Sequence, residues 1–358
     1  MTAVLELPST RLEDWRWFDP DALRAANDSA RAAVPVPPFL DLDGPRLLFV
    51  DGVFDAQRSA PGPVRVETLP ADTDHALGAR TAGPGWSLGI GAGHAVANVQ
   101  VVHVATGGAN HLPARIVLGE GAVASVVETY VGTGWSNRLT RIDLGRAARL
   151  QRSVRLIQSG GFVSLRDEAA VGEGASLVTV VLGAGDMGSR IDGALTLEGD
   201  SGFVEMSGAL LTRARQEQEC AVAVRHAAPN GSSRQIWRAV AADRSQASLA
   251  ARVEVARHAQ KTDGEQSLRG ILLERSATVN LKPELEIFAD DVKCAHGATV
   301  GELDAGALFY LESRGIDPAR ARALLTRAFV ADAIDRIGDE AVRAAFAADA
   351  DAWLEKAL

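Results

Sequence analysis

Apolar and polar residues alternate through the middle of the chain, over residues 86–299. Pairs such as Val154 and Leu156 show the period of two that is typical of a half-buried β-strand. Glycine-rich or acidic turns separate these runs at intervals of about 12 to 15 residues, a spacing typical of all-β folds, and GEGA occurs at both 119–122 and 172–175. The middle is therefore predicted to be a sandwich, a barrel or a parallel β-solenoid. The small turn residues and the weak internal similarity favour the solenoid.

The residues before this region predict a helix, a hairpin and a linker. Asp19 and Pro20 provide an N-cap and a proline at the first helical position. Two short apolar runs in residues 46–55 flank Asp51-Gly52, which predicts a hairpin. A linker rich in Pro, Ala and Gly follows, to about Gly85. Three aromatic residues are expected to anchor the helix on the core: Trp15, Trp17 and Phe18.

The end of the chain has a helical pattern. Its last helix is predicted to carry Val342, Phe346, Ala350 and Trp353 on one apolar stripe. Two interpretations of this stripe remain open, since it can pack on the chain's own β core or dock a partner. The predicted domains are an N-terminal helical and hairpin domain with its linker (1–85), a β core (86–300) and a C-terminal helical domain (301–358).

The composition excludes several classes of protein. The 37 Lys and Arg against 46 Asp and Glu give a net charge of −9, which argues against nucleic-acid binding. The two cysteines, Cys220 and Cys294, cannot form a disulfide framework or ligate an iron–sulfur cluster by themselves. There is no apolar run of about 18 residues and no signal-peptide pattern at the N-terminus. We therefore expect a cytoplasmic protein that does not bind membranes.

Short motifs give little sign of an enzyme. None of the four lysines follows a glycine, so the chain has no G-x-x-x-x-G-K-[ST] phosphate loop. Residues 183–188 fit G-x-G-x-x-G, but the sequence after them predicts a strand where a dinucleotide site needs a helix. Residues 85–89 fit G-x-S-x-G without the strand-to-helix turn of a nucleophile elbow. Both are interpreted as glycine-containing turns.

The residues with the most chemical potential lie in LKPELEIFADDVKCAHGATVG, residues 281–301. If this segment is extended, Cys294 and His296 project from the same face of a strand. A thiolate beside an imidazole can bind iron, zinc or copper, or act as a nucleophile–base pair, but the two residues can equally be structural. Asp290 and Asp291 are nearby candidates for oxygen ligands or for acceptors that orient the imidazole.

The same segment, continued through ELDAGALFYLESRGI, resembles the signature of the SufB/SufD family of the SUF iron–sulfur cluster assembly machinery, on its SufD side. RLEDWRWFDPDAL, RLLFVDGVF and LPARIVLGEGAVASVVETYVG resemble the family's N-terminal segment, hairpin and entry to the β core. The resemblance covers essentially the whole chain and is weakest over residues 144–219. SufB-like members carry further cysteines near the cluster site, so the two cysteines here favour the SufD side.

The resemblance implies a mainly β fold, with a right-handed parallel β-helix core flanked by α-helical N- and C-terminal domains. It implies pairing with a SufB-like subunit through the β-helix. A SufC-like ATPase would dock on the C-terminal helical domain, in the region of residues 303–331. A reduced flavin is associated with the assembled complex in this family, whereas no cofactor is expected on the isolated chain, which can form a homodimer.

The resemblance also implies a function for the Cys-x-His pair. His296 and Cys294 match the residues that help to hold a nascent iron–sulfur cluster shared with the SufB-like subunit. The expected function is that of a non-catalytic scaffold subunit for cluster assembly. The alternative is an independent metal- or thiol-dependent enzyme that uses Cys294 and His296.

Overall fold

The structure, a computed structural model, describes residues 5–358, and these residues form seventeen β-strands and four α-helices. The strands are β1 (Arg46–Val50), β2 (Val53–Phe54), β3 (Arg65–Leu69), β4 (Gly83–Ile90), β5 (Ala95–Leu118), β6 (Val123–Leu144), β7 (Arg149–Leu156), β8 (Phe162–Val171), β9 (Ser176–Gly183), β10 (Gly188–Leu197), β11 (Phe203–Thr212), β12 (Glu217–His226), β13 (Ser232–Ala241), β14 (Gln246–Val255), β15 (Asp263–Leu272), β16 (Thr278–Ile287) and β17 (Lys293–Gly301). The helices are α1 (Pro20–Asn27), α2 (Ala305–Ser313), α3 (Pro318–Ile334) and α4 (Glu340–Ala357).

The strands wind into a parallel solenoid with two opposed sheets, so the β-solenoid interpretation is confirmed. The long strands β5 and β6 each run along both sheets and bend between them. Sheet I continues from them through β7, β9, β11, β13, β15 and β17. Sheet II continues through β8, β10, β12, β14 and β16. Each strand from β7 to β15 therefore pairs with the strands one coil before and one coil after it.

One line of corners is held together by residues with a left-handed backbone. Gly121, Ala147 and Gly174 occupy equivalent places, with φ of 64°, 55° and 59°. The N–H of Gly121 donates to the carbonyl of Arg146 at 2.8 Å, and the N–H of Ala147 donates to Glu173 at 2.7 Å. These bonds stack each corner on the next, which explains why GEGA recurs where the chain turns.

The solenoid interior combines an apolar core with buried charges. Side chains such as Leu177 and Leu195 are completely or nearly completely buried. Arg152, also in the interior, donates from Nε to Glu128 Oε1 at 2.6 Å and from Nη1 to Asp167. Burial alone would raise the pKa of Glu128, but Arg152 and His103 hold it well below its ordinary value. These three buried charges are therefore paired, as a low-dielectric interior requires.

The C-terminal helices cover the outer side of sheet I. The stripe of α4 (Val342, Phe346, Ala350 and Trp353) is buried against outward-facing residues of β9, β11 and β13. Arg155 donates to Asp349 from Nε at 2.6 Å, which ties the same helix to β7. The stripe therefore packs on the chain's own β core, and its interpretation as a partner-docking face is wrong. In residues 5–358 the structure contains no helix long and apolar enough to cross a membrane.

The N-terminal region is largely as the sequence predicts. Asp19 caps α1 by accepting from the N–H of Asp21 and Ala22, and β1 and β2 form the hairpin around Asp51-Gly52. Trp15 and Phe18 are buried beside α1, whereas Trp17 is half-buried. The predicted linker is more ordered than expected, because it contains β3 and the start of β4. The eight residues of α1 are the one α-helix described before residue 86, so the helical character of this domain is only partly confirmed.

Neither glycine motif is followed by the helix that a catalytic or dinucleotide site requires, but one of the two is part of a strand, so its interpretation as a turn is wrong. The G-x-S-x-G residues 85–89 lie within β4, where no helix follows. The G-x-G-x-x-G residues 183–188 join β9 to β10, both of which are strands. His103, His226 and Cys220 are buried in the interior.

Candidate functional site

The solenoid ends in an open edge at β16 and β17. Among the described residues, β17 pairs with β15 on one side only, and β16 pairs with β14 on one side only. The last coil is therefore not covered by a further coil. The main-chain groups along its outer edge are free to pair with another strand.

Cys294 and His296 lie two residues apart in β17, the final strand of this edge. In register they align with Gly264 and Gln266 of β15. Gln266 is buried, so this face of the ladder points into the solenoid. The two Cα atoms are about 6.6 Å apart in an extended strand. The predicted strand is thus present, with both side chains on its inward face, beside the edge on which a further coil would stack.

The thiol of Cys294 is half-buried beside an apolar cluster that includes Val253, Val255 and Ala289. Burial raises the pKa of Cys294, while a hydrogen bond from the Gly264 backbone acts in the opposite direction. The sulfur is therefore a protonated thiol at neutral pH, and it must lose its proton to bind a metal. His296 is exposed at the edge.

Among the described residues, no hydrogen bond links Asp290 or Asp291 to Cys294 or His296. Asp290 and Asp291 lie in the turn between β16 and β17. Asp291 Oδ2 accepts from Lys261 Nζ at 2.7 Å, and this bond lowers the pKa of Asp291. The structure thus pairs Asp291 with a corner lysine and not with His296, and a role of Asp290 or Asp291 in orienting the imidazole remains a prediction.

The site is incomplete within this chain as far as the structure describes it. No group of three or more His, Cys, Asp or Glu side chains in residues 5–358 is placed to hold a metal ion. Cys294 and His296 provide two ligands, whereas structural metal and cluster sites use about four. The metal-binding role of the pair remains a prediction.

Two glutamines lie behind His296; Gln266 belongs to the segment that resembles the run-up to the family signature, but the sequence indicates no role for it, and Gln235 is not distinguished at all. Gln235 in β13 pairs in register with Gln266 in β15, which pairs with His296 in β17. Both glutamines are buried. Nothing in the local sequence distinguishes them, because their alignment depends on the register of strands about thirty residues apart.

A second exposed feature lies on α2. None of its residues is buried, and Phe309 and Tyr310 are 73% and 56% exposed. Helix α2 contacts α3, which lies on sheet I. Phe309 and Tyr310 are therefore presented to solvent on a helix that lies beside α3.

The chain is similar in sequence to one protein family and to several individual proteins. Residues 101–329 match the family model described as "SUF system FeS cluster assembly, SufBD core domain". The chain is 26% identical over 375 residues to the iron–sulfur cluster assembly protein SufD of Escherichia coli (strain K12), which covers 94% of this chain and 87% of that protein.

Two further relatives match shorter segments. A SufBD family protein of Synechocystis is 31% identical over 206 residues, 57% of this chain and 45% of that protein. The chloroplastic protein ABCI7 of Arabidopsis thaliana is 43% identical over 116 residues, 32% of this chain and 24% of that protein. Because the family model spans more than half of the sequence, the chain belongs to the SufB/SufD family of the SUF iron–sulfur cluster assembly system.

Proposed function

We propose that the chain is a non-catalytic scaffold subunit on which nascent iron–sulfur clusters are built. The observation that carries this proposal is the position of Cys294 and His296 on the last strand, at the open edge of the solenoid. A SufB-like subunit pairs with this edge and supplies the ligands that the chain lacks. The right-handed winding of the family's β-helix is part of the same proposal.

The chemistry of the pair suits a cluster as cargo. Iron in iron–sulfur clusters prefers thiolate and accepts imidazole, as in Rieske centres. An incomplete ligand set holds a cluster less firmly than a full one, which is suitable for a cluster that must be transferred. The reduced flavin implied by the resemblance is proposed to bind the assembled complex, and no residue of this chain is assigned to it.

The ATP chemistry is assigned to a SufC-like partner. The chain has no phosphate loop, and the aromatic pair on α2 is exposed within residues 303–331, the region implied for docking. We propose that α2 and the neighbouring exposed side of α3 form the ATPase-docking surface.

The scaffold proposal is tested with His296→Ala in the complex co-expressed with a SufB-like subunit and a SufC-like ATPase. We expect the complex to assemble but to contain at least about tenfold less iron and sulfide after anaerobic purification, because one ligand is lost. Cys294→Ala should have a comparable effect if the thiolate is a ligand and a milder one if it only packs.

Lys293→Ala is the matched control, since Lys293 is an exposed residue of the same strand whose side chain points to the opposite face. It should retain the cluster content of the wild type. Cluster content at the wild-type level in an intact His296→Ala complex would contradict the proposal. Turnover of a substrate by the isolated chain would instead support the enzyme alternative.

A further inference from the structure

The interior of the last three coils carries a row of polar side chains that leads to the open edge. Gln235, Gln266 and His296 are Cα partners on successive strands of sheet I. Neighbouring strands are about 4.8 Å apart, so each side chain can reach the next one but not the one beyond it. Gln266 is therefore the interior side chain directly behind His296.

Only one end of the Gln266 carboxamide forms a hydrogen bond. Its Nε2 donates to the carbonyl of Glu284 at 3.2 Å, whereas its Oε1 is buried and has no hydrogen-bond partner among the described residues. The carbonyl of Glu284 can only accept, so it fixes which end of the amide is the nitrogen. An unpaired buried acceptor costs about 1–3 kcal/mol. Such an atom in a core needs an explanation.

A histidine that binds a metal usually donates its second ring N–H to an oxygen, which fixes the tautomer and the orientation of the ring. Asp291 does not provide this oxygen, because it is bound to Lys261. Gln266 Oε1 is an unused buried acceptor on the Cα partner of His296, one strand spacing away.

We propose that Gln266 is a positioning residue for His296. When the last coil is covered, Gln266 Oε1 accepts the proton of one imidazole nitrogen. The other nitrogen is then unprotonated and directed at the iron of the nascent cluster. This inference rests on the proposed function, since it assigns a task to Gln266 only if His296 is a ligand.

The test compares Gln266→Met with Gln266→Glu in the co-expressed complex. Methionine fills the volume of glutamine without an acceptor oxygen, whereas glutamate keeps the oxygen and loses the amide N–H. We expect Gln266→Met to lower iron and sulfide content at least about tenfold, and Gln266→Glu to retain most of the cluster. A purely structural role predicts the opposite order, because an apolar side chain is better tolerated in a core than a carboxyl group.

Gln235→Met is the matched control. Gln235 is buried, donates from Nε2 to the carbonyl of Arg252 at 3.0 Å and also has an unpartnered Oε1, but it lies one coil further from His296. It should leave the cluster content within about twofold of the wild type, since its oxygen lies about two strand spacings from the imidazole.

The inference is overturned if Gln266→Met keeps the wild-type cluster content, if both Gln266 variants lose the cluster equally, or if Gln235→Met loses as much as Gln266→Met. These results are distinguishable from failure of the proposed function. If the proposed function fails, His296→Ala itself retains the cluster content of the wild type.

Discussion

Single buried histidines make the stability of this protein depend on pH. Burial lowers the pKa of both His103 and His226 to about 4. Each ring is therefore neutral in the folded chain at neutral pH, while the same ring in the unfolded chain takes up a proton near pH 6.5. Stability from these residues is fully present above pH 6.5 and is lost as the pH falls from 6.5 toward 4.

His226→Gln tests this linkage, because the Nε2 of His226 lies 2.8 Å from Ser233 Oγ in the core, and burial outweighs the opposing effect of Asp263 on the pKa of His226. Between pH 7.5 and 5 the wild type should lose more unfolding free energy than the variant does. The difference should approach about 1.4 kcal/mol for each pH unit below 6.5. Urea unfolding at several pH values measures it.

His94→Gln, which changes an exposed ring, is the reference for the substitution itself. Parallel free-energy curves for the wild type and His226→Gln would show that His226 is not the source of the pH dependence.

At the site, the sequence predicts the ligand candidates but not their support. Cys294 and His296 lie two residues apart in one strand, so their common face follows from the period of a β-strand alone. Gln266 is thirty positions before His296 in the sequence, and only the coil-to-coil register places it behind the imidazole. Likewise, the pairing of Asp291 with Lys261 joins two different corners, which local patterns do not reveal.

The conformation of each corner depends both on the local sequence and on the way the coils stack. Ala147 and Gly174 hold equivalent left-handed positions, and both are exposed. A Cβ at position 174 would have no heavy atom within 4 Å, so a substitution there changes backbone strain and not packing. A left-handed backbone costs a non-glycine residue roughly 1–2 kcal/mol.

We therefore expect Ala147→Gly to stabilise the fold by about 1 kcal/mol and Gly174→Ala to destabilise it by a similar amount. Urea unfolding of the two variants provides the measurement, and each serves as the control for the other. Changes of the same sign in both variants would contradict the stacked left-handed corners.

The type of each element was easier to predict than its partners. The period of two identifies the strands of residues 86–299, but a sandwich, a barrel and a solenoid share that local pattern. Their difference lies in which strands pair, and the pairing here joins residues about one coil apart. The stripe of α4 is a similar case, because its spacing predicts an apolar face and only the assembled sheet I shows what covers it.

At the scale of the whole molecule, the proposed function assigns partners to two separate surfaces, the open edge of β17 and helix α2. The open edge of β17 offers main-chain groups and the Cys-x-His pair. Helix α2 offers exposed aromatic side chains. Helices α3 and α4 bury the outer side of sheet I. Deletion of all C-terminal helices would therefore expose that apolar surface as well as remove α2. Point substitutions on α2 are for this reason the more specific test of ATPase docking.

Phe309→Asp should abolish co-purification with a SufC-like ATPase and leave pairing with the SufB-like subunit unchanged. Phe309 is 73% exposed, so the substitution removes no internal packing, while loss of an aromatic anchor from an interface costs about 2 kcal/mol or more. Val53→Asp is the matched control, since Val53 is an apolar residue of the distant β1–β2 hairpin with 69% exposure. The measurement is a pull-down of the ATPase with each variant, together with thermal unfolding of both variants. Equal ATPase retention by the two variants would place the docking surface elsewhere than α2.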